Sequence, residues 1–223
     1  MFEPAEPPPR AARLSFTRLG VHPPFQSFHP ETPPIAPIMN TETTREKIVQ
    51  HAQNLIQTGG YNGFSYRDLA ALIGIKTSSI HYYFPQKEDL LLAVIQRYQT
   101  NWNEAIQRID PGLRADDKLR AYVDVHRRAF CGTERICLGT ALSAELGSLP
   151  GCARRALRDF YAANEAWLVK LLEQGAREGS LRVPGDLHAS ARALYSALQG
   201  SLMGARLFNE SERVAELFPA IAA

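Results

Sequence analysis

The chain carries almost no surplus charge: 25 Lys and Arg stand against 23 Asp and Glu, a formal net charge of +2. A broad basic field, the usual electrostatic footprint of a nucleic-acid binder, is absent even locally, because Met39 to Arg97 holds six Lys/Arg and five Asp/Glu. No apolar run approaches the ~20 residues that a bilayer core requires. The N-terminus lacks the basic-then-apolar order of a secretory signal, so a soluble cytoplasmic protein is expected. Only three cysteines are present, Cys131, Cys137 and Cys152; they have no metal-ligand spacing and cannot all pair, which suits a reducing compartment. There is no Gly-rich phosphate loop, metal cluster or nucleophile motif, so no catalytic residue, metal or cofactor is assigned. No alternating strand pattern occurs, and a chain of 223 residues with 45% apolar content must therefore build its core from helices.

Proline is unevenly spread. Residues 1–38 hold ten of the fifteen prolines and no hydrophobic period, a composition that cannot offset its ordering entropy and predicts a disordered or extended segment. Two readings stand for it: an upstream extension of a protein that begins at Met39, or a functional arm that binds a partner. The first reading predicts that deleting residues 1–38 leaves folding and activity unchanged.

Helical periodicity begins at Thr43, where Ile48, Ala52, Leu55 and Ile56 form one stripe up to Gly59-Gly60. Tyr61-Asn62-Gly63-Phe64 reads as a turn that delivers an aromatic plug. Ser65 with Asp68 is a capping-box pattern, and Leu69, Leu72 and Ile73 give the helix it opens an apolar side. Gly74 stops that helix. Ile80 and Phe84, at i and i+4, bury one face of the next, leaving Thr77, Ser78, Ser79, His81, Tyr82 and Tyr83 opposite. Two short helices joined at a glycine, the second presenting hydroxyls and aromatics, form the pattern of a helix-turn-helix.

Leu91, Ile95, Tyr98, Trp102 and Ile106 then predict a helix over Lys87 to Ile109, roughly 35 Å long. Further helices are expected around Leu119 to Phe130, Ile136 to Leu149, Leu157 to Gly179 and Leu187 to Ala205, with a short last one from Ser211. Gly200 and Gly204 are small residues at which another helix could approach closely.

The run Gly74-Ile-Lys-Thr-Ser-Ser-Ile-His-Tyr-Tyr-Phe-Pro-Gln-Lys-Glu-Asp-Leu-Leu91 resembles the DNA-binding head of TetR/AcrR-type regulators, and the resemblance covers Thr43 to about Tyr98. It implies an all-α fold: residues 39–86 as a three-helix head with a helix-turn-helix, and residues 87–223 as a helical ligand-binding and dimerisation domain. It implies a homodimeric repressor, released from a palindromic double-stranded DNA operator by a small-molecule effector. By the same resemblance Thr77, Ser78 and Ser79 sit at the groove floor, His81 and Tyr82 lie along the groove, Tyr83 and Lys87 reach phosphates, and Arg67 matches a position that reads guanine. For Tyr82 and Tyr83 packing within the head is the competing reading, and for Lys87 simple exposure.

Trp102, Tyr122, His126, Phe130, Cys137, Phe160, Tyr161 and Trp167 are the candidate effector-pocket residues, with ordinary core as the alternative for each aromatic. The stretch Ile136-Cys137-Leu138 to Glu145-Leu146 resembles a Gly-Cys-Leu-x(6)-Glu-Leu element of one family branch that includes sensors of electrophiles and oxidants; here Ile136 replaces the glycine. Cys137 is thus either a sensor thiol, which would need a cation such as Arg135 nearby, or a buried inert one. Rival functions are a helical thiol enzyme using Cys137 with His126, and a scaffold whose head no longer binds DNA.

Overall fold

The computed structural model describes residues 43–130, 133 and 135–217. The expected arm before Met39 and Cys131 lie outside the described residues. The regular elements are all helices, with no strand among the described residues. The helices are α1 (Thr44–Gly59), α2 (Tyr66–Ile73), α3 (Thr77–Tyr83), α4 (Lys87–Gln107), α5 (Ala115–Phe130), α6 (Leu138–Ala144), α7 (Gly151–Glu178), α8 (Leu187–Phe208) and α9 (Glu212–Ala215).

Local chemistry sets the boundaries of the head. Thr43 and Ser65 each cap a helix through a reciprocal box with Glu46 and Asp68, respectively, satisfying two backbone donors that would otherwise be unpaired. Gly74 ends α2 at φ 77 and ψ 34, a left-handed position in which a Cβ is disfavoured. Asp89 reaches back to accept from the Gln86 N–H at 3.0 Å at the start of α4. The buried faces then lock together: Ile48, Ala52, Leu69, Ile80, Phe84 and Leu90 are nearly inaccessible to solvent. Tyr66 adds a polar tie, its hydroxyl lying 3.0 Å from Phe84 O and 2.8 Å from Gln86 O across the α3–α4 turn. Leu72 departs from the sequence expectation. It is 55% exposed, because an eight-residue helix packed on α1 and α3 turns Tyr66, Leu69 and Ala70 inward instead.

The remaining helices form a bundle in which α7 and α8 run against each other, with α4 and α5 packed on α7. The segment expected as one helix from Ile136 to Leu149 is broken into α6 and a single 3-10 turn at Leu146–Ser148. Pro150 follows that turn at the N-cap of α7, where its missing N–H costs no helical hydrogen bond. No helix among the described residues is long and apolar enough to cross a membrane.

Candidate nucleic-acid interface and interior aromatic cluster

α3 is held by a single fully buried side chain, Ile80, and by Phe84 immediately after it. That economy of packing leaves the rest of the helix outside. Ser78, His81, Tyr82 and Tyr83 are exposed, Tyr82 by 82% of its surface and Tyr83 by 38%. Thr77 and Ser79 are half-buried in the first turn and first rung of the same face. Among the described residues none of the Thr77, Ser78, Ser79, Tyr82 and Tyr83 hydroxyls is engaged in a side-chain hydrogen bond, so all are available to an external partner. Tyr82 and Tyr83 meet edge to face at 5.1 Å, and His81 meets the Tyr66 ring at 4.9 Å. Arg67, on α2, is exposed. Short hydroxyls near the helix start and longer aromatic groups toward its end suit base edges and backbone, respectively.

Lys87 is placed differently from its neighbours. Its ammonium points inward, donating to Tyr61 O at 2.6 Å and to Phe64 O, and it sits 4.6 and 4.3 Å from the centroids of the Tyr61 and Phe64 rings. Partial burial pushes its pKa down, opposed by the carboxylates of Glu145 and Asp68. The cation predicted to face a phosphate is thus engaged by the α1–α2 loop.

The candidate pocket residues fall into four groups. Trp102, Tyr122, His126, Phe160 and Trp167 come together in one aromatic cluster with Tyr98. Trp102 and His126 lie 4.3 Å apart, Tyr122 stacks on Trp167 at 4.8 Å, and Tyr98 meets Phe160 at 5.4 Å. Its polar centre is Asn164, whose Oδ1 accepts from Trp102 Nε1 at 2.7 Å and from Tyr122 Oη at 3.1 Å while its Nδ2 donates to Phe160 O. His126 is buried and holds Tyr122 O through Nδ1 at 3.0 Å. A carbonyl can only accept, so Nδ1 carries the proton, and burial lowers the imidazole pKa to about 4. A cleft of about 180 Å³ opens beside Trp102, Tyr122, Asn164 and Trp167.

Phe130 stands at the edge of this cluster, 6.5 Å from His126, and lines a separate groove of about 920 Å³ with Ile136, Leu202 and Met203. Tyr161 lies on another side, against Tyr195 at 5.3 Å and within 3.4 Å of Ser143 Oγ. Cys137 is 2% exposed and accepts a hydrogen bond from Tyr98 Oη at 3.4 Å. Arg135 donates toward Asn54 Oδ1 at 3.5 Å.

Three residues matter here that the sequence reading gave no site role. Tyr66, Asn164 and Glu145 each act through a contact distant in sequence. Asn164 left a signal as a polar residue on the otherwise apolar stripe of α7, and Glu145 left one as the glutamate of the Gly-Cys-Leu-x(6)-Glu-Leu-like stretch.

Comparison with known proteins matches this arrangement at both ends. Residues 48–94 match the family model for bacterial regulatory proteins, tetR family, and residues 115–221 match that for the tetracyclin repressor-like C-terminal domain. Transcriptional regulator AcuR of Cereibacter sphaeroides is 25% identical over 166 residues, covering 70% of this chain and 76% of that protein. A TetR-family transcriptional regulator from Agrobacterium tumefaciens superimposes with a TM-score of 0.76 at 27% identity, over 80% of this chain and 97% of its own. A TetR transcriptional regulator from Legionella pneumophila does so with a TM-score of 0.73 at 31% identity, over 82% of this chain and 97% of its own. With both family models matched and a relative of 31% identity covered over 97% of its length, this chain belongs to the TetR family of transcriptional regulators.

Proposed function

We propose that the protein is a cytoplasmic repressor that binds a palindromic DNA operator as a homodimer and leaves it when a small molecule enters the helical domain. In this reading residues 39–86 read DNA and residues 87–223 bind the effector and the second copy. The observation that carries it is the α3 face, on which hydroxyls and exposed tyrosines are kept out of the core by a helix anchored only through Ile80 and Phe84. One such helix spans few base pairs, so pairing of two heads across a two-fold axis supplies the missing affinity and specificity.

Dimerisation through α7 and α8 is favoured by the open outer face of α8. A Cβ built on Gly200 meets nothing within 4 Å, and Met203, Leu207 and Phe208 are exposed by 52%, 78% and 56%. The effector reading rests on the Trp102–Tyr122–Trp167 cluster and its cleft, where a largely apolar ligand would stack.

Selection of bound sequences from a random DNA pool, with dimer mass measured in parallel, tests the reading. A palindromic consensus is the expected result; a folded protein that enriches nothing would overturn it. With the consensus in hand, Arg67→Ala and Ser79→Ala are expected to relax preference at particular base pairs, each by about 1–3 kcal/mol of discrimination. Equal weakening on operator and random DNA would remove both residues from base readout.

A further inference from the structure

The α1–α2 loop is gripped from two sides by opposite charges. From the bundle, Glu145, the residue that caps α6, accepts from Tyr61 N–H at 2.6 Å, from Asn62 N–H at 3.0 Å and from Asn62 Nδ2 at 2.6 Å. From the start of α4, Lys87 donates to Tyr61 O at 2.6 Å. Asn62 N–H and Tyr61 C=O belong to one peptide group, whose N–H and C=O point in opposite directions because the bond is trans. A single peptide dipole is therefore lined up between a carboxylate and an ammonium, so each charge-assisted bond strengthens the other.

The loop is shaped for this grip. Gly60 has φ 85 and ψ 168, a region open essentially to glycine alone. A Cβ there would stand 2.1 Å from Glu145 Oε1. Ser148 Oγ also takes a bond from Asn62 Nδ2 at 2.8 Å.

The other side of α6 bears on the interior. A Cβ on Gly139 would lie 3.0 Å from the Tyr161 ring and 3.2 Å from the Phe160 ring, and Thr140 Oγ1 donates to Gln199 Oε1 at 2.7 Å. Seven helical residues, roughly 10 Å at 1.5 Å per residue, thus separate the aromatic cluster from the peptide that anchors the head.

We propose that Glu145 is a positioning residue for DNA binding: through the Tyr61–Asn62 peptide and Lys87 it sets the angle of the head, and it makes that angle answer to the position of α6. The grip itself needs only this fold, whereas its consequence for paired half-sites rests on the two-headed reading proposed above.

The test compares wild-type, Glu145→Gln, Lys87→Met and the double variant as full chains. Hydrogen exchange is first measured without DNA. Each single variant is expected to raise exchange of the Tyr61 and Asn62 amides at least ~10-fold while α1 and α4 keep their protection, and the double variant is expected to add little, since one unit has been broken twice. Unchanged exchange in Glu145→Gln, or fully multiplicative effects, would overturn the grip. Binding is then measured on the selected operator and on versions with the half-site spacing altered by one base pair. Glu145→Gln should lose about tenfold at the native spacing and little at the altered ones, flattening the spacing preference, because the head angle is no longer fixed. Equal losses at every spacing, or none, would overturn positioning, since a merely structural defect reduces all binding alike. A wild-type selection that returns no paired site would instead refute the two-headed reading, and exchange would then decide the grip alone.

Discussion

Asn164→Ala is expected to lower the unfolding free energy by about 3–4 kcal/mol, one of the largest single-residue effects in the bundle. Asn164 is 4% exposed, and its Oδ1 is the common acceptor for Trp102 Nε1 and Tyr122 Oη. Removing it leaves an indole N–H and a phenol unpaired inside an aromatic cluster, each at about 1–3 kcal/mol, and opens a small cavity besides. Thermal unfolding should shift down on the order of 10 °C for a chain of this size. The design of the check follows from the cause. Tyr122→Phe is destabilising in the wild-type chain, where it discards a made hydrogen bond, but in an Asn164→Leu background it removes an orphaned hydroxyl and is expected to restore stability. Additive losses in that double variant would show that Asn164 matters for shape and not for hydrogen bonding.

Acid stability should turn on His126. Its imidazole is buried, donates Nδ1–H to Tyr122 O, and is enclosed by Trp102, Tyr122 and Phe130. Burial lowers its pKa to about 4 from the ordinary 6.5. The folded state therefore binds fewer protons than the unfolded chain between these values, so the stabilising contribution is complete above the unfolded pKa and falls as pH drops toward 4. The loss is about 2 kcal/mol between pH 8 and pH 5 and about 3 kcal/mol by pH 4.

Other groups act lower on the scale. Glu46, Asp68 and Glu178 have pKa values held below 4.5, 3.8 and 4.5 by hydrogen bonds to backbone and side-chain partners, so their contributions fade only below the unfolded carboxylate range. The decline between pH 6.5 and 5 is thus assigned to His126. His126→Phe should flatten the denaturant-derived stability curve across that interval, and a curve with the wild-type slope would sink the assignment.

The elements that local chemistry controls were legible in the sequence. Thr43 with Glu46 and Ser65 with Asp68 announce helix starts, Gly74 a left-handed stop, and the spacing of Ile80 and Phe84 the buried side of α3. Those signals operate within one turn of helix, and the structure places them as expected. The resemblance of the run from Gly74 to Leu91 to one regulator head covers a stretch in which nearly every exposed residue is free of packing duty. The interior aromatics were legible as a group for a related reason: helical spacing fixes which side of a helix they share.

What needed the tertiary structure is the choice of partner between side chains far apart in the chain. Nothing local indicates that Lys87 turns inward to Tyr61 and Phe64, since a lysine in the first turn of a helix could equally face an anion. The Gly-Cys-Leu-x(6)-Glu-Leu-like stretch includes Glu145 but does not name its partners, because its three donors lie more than eighty residues earlier. Nothing local indicates that Cys137 is buried against the Tyr98 hydroxyl. The amino-acid sequence alone determined the helical architecture, the side of α3 that stays out of the core, and the family. The tertiary structure decided which charges are spent inside the molecule, because desolvation and pairing depend on where distant helices meet, and no periodicity along one helix encodes that.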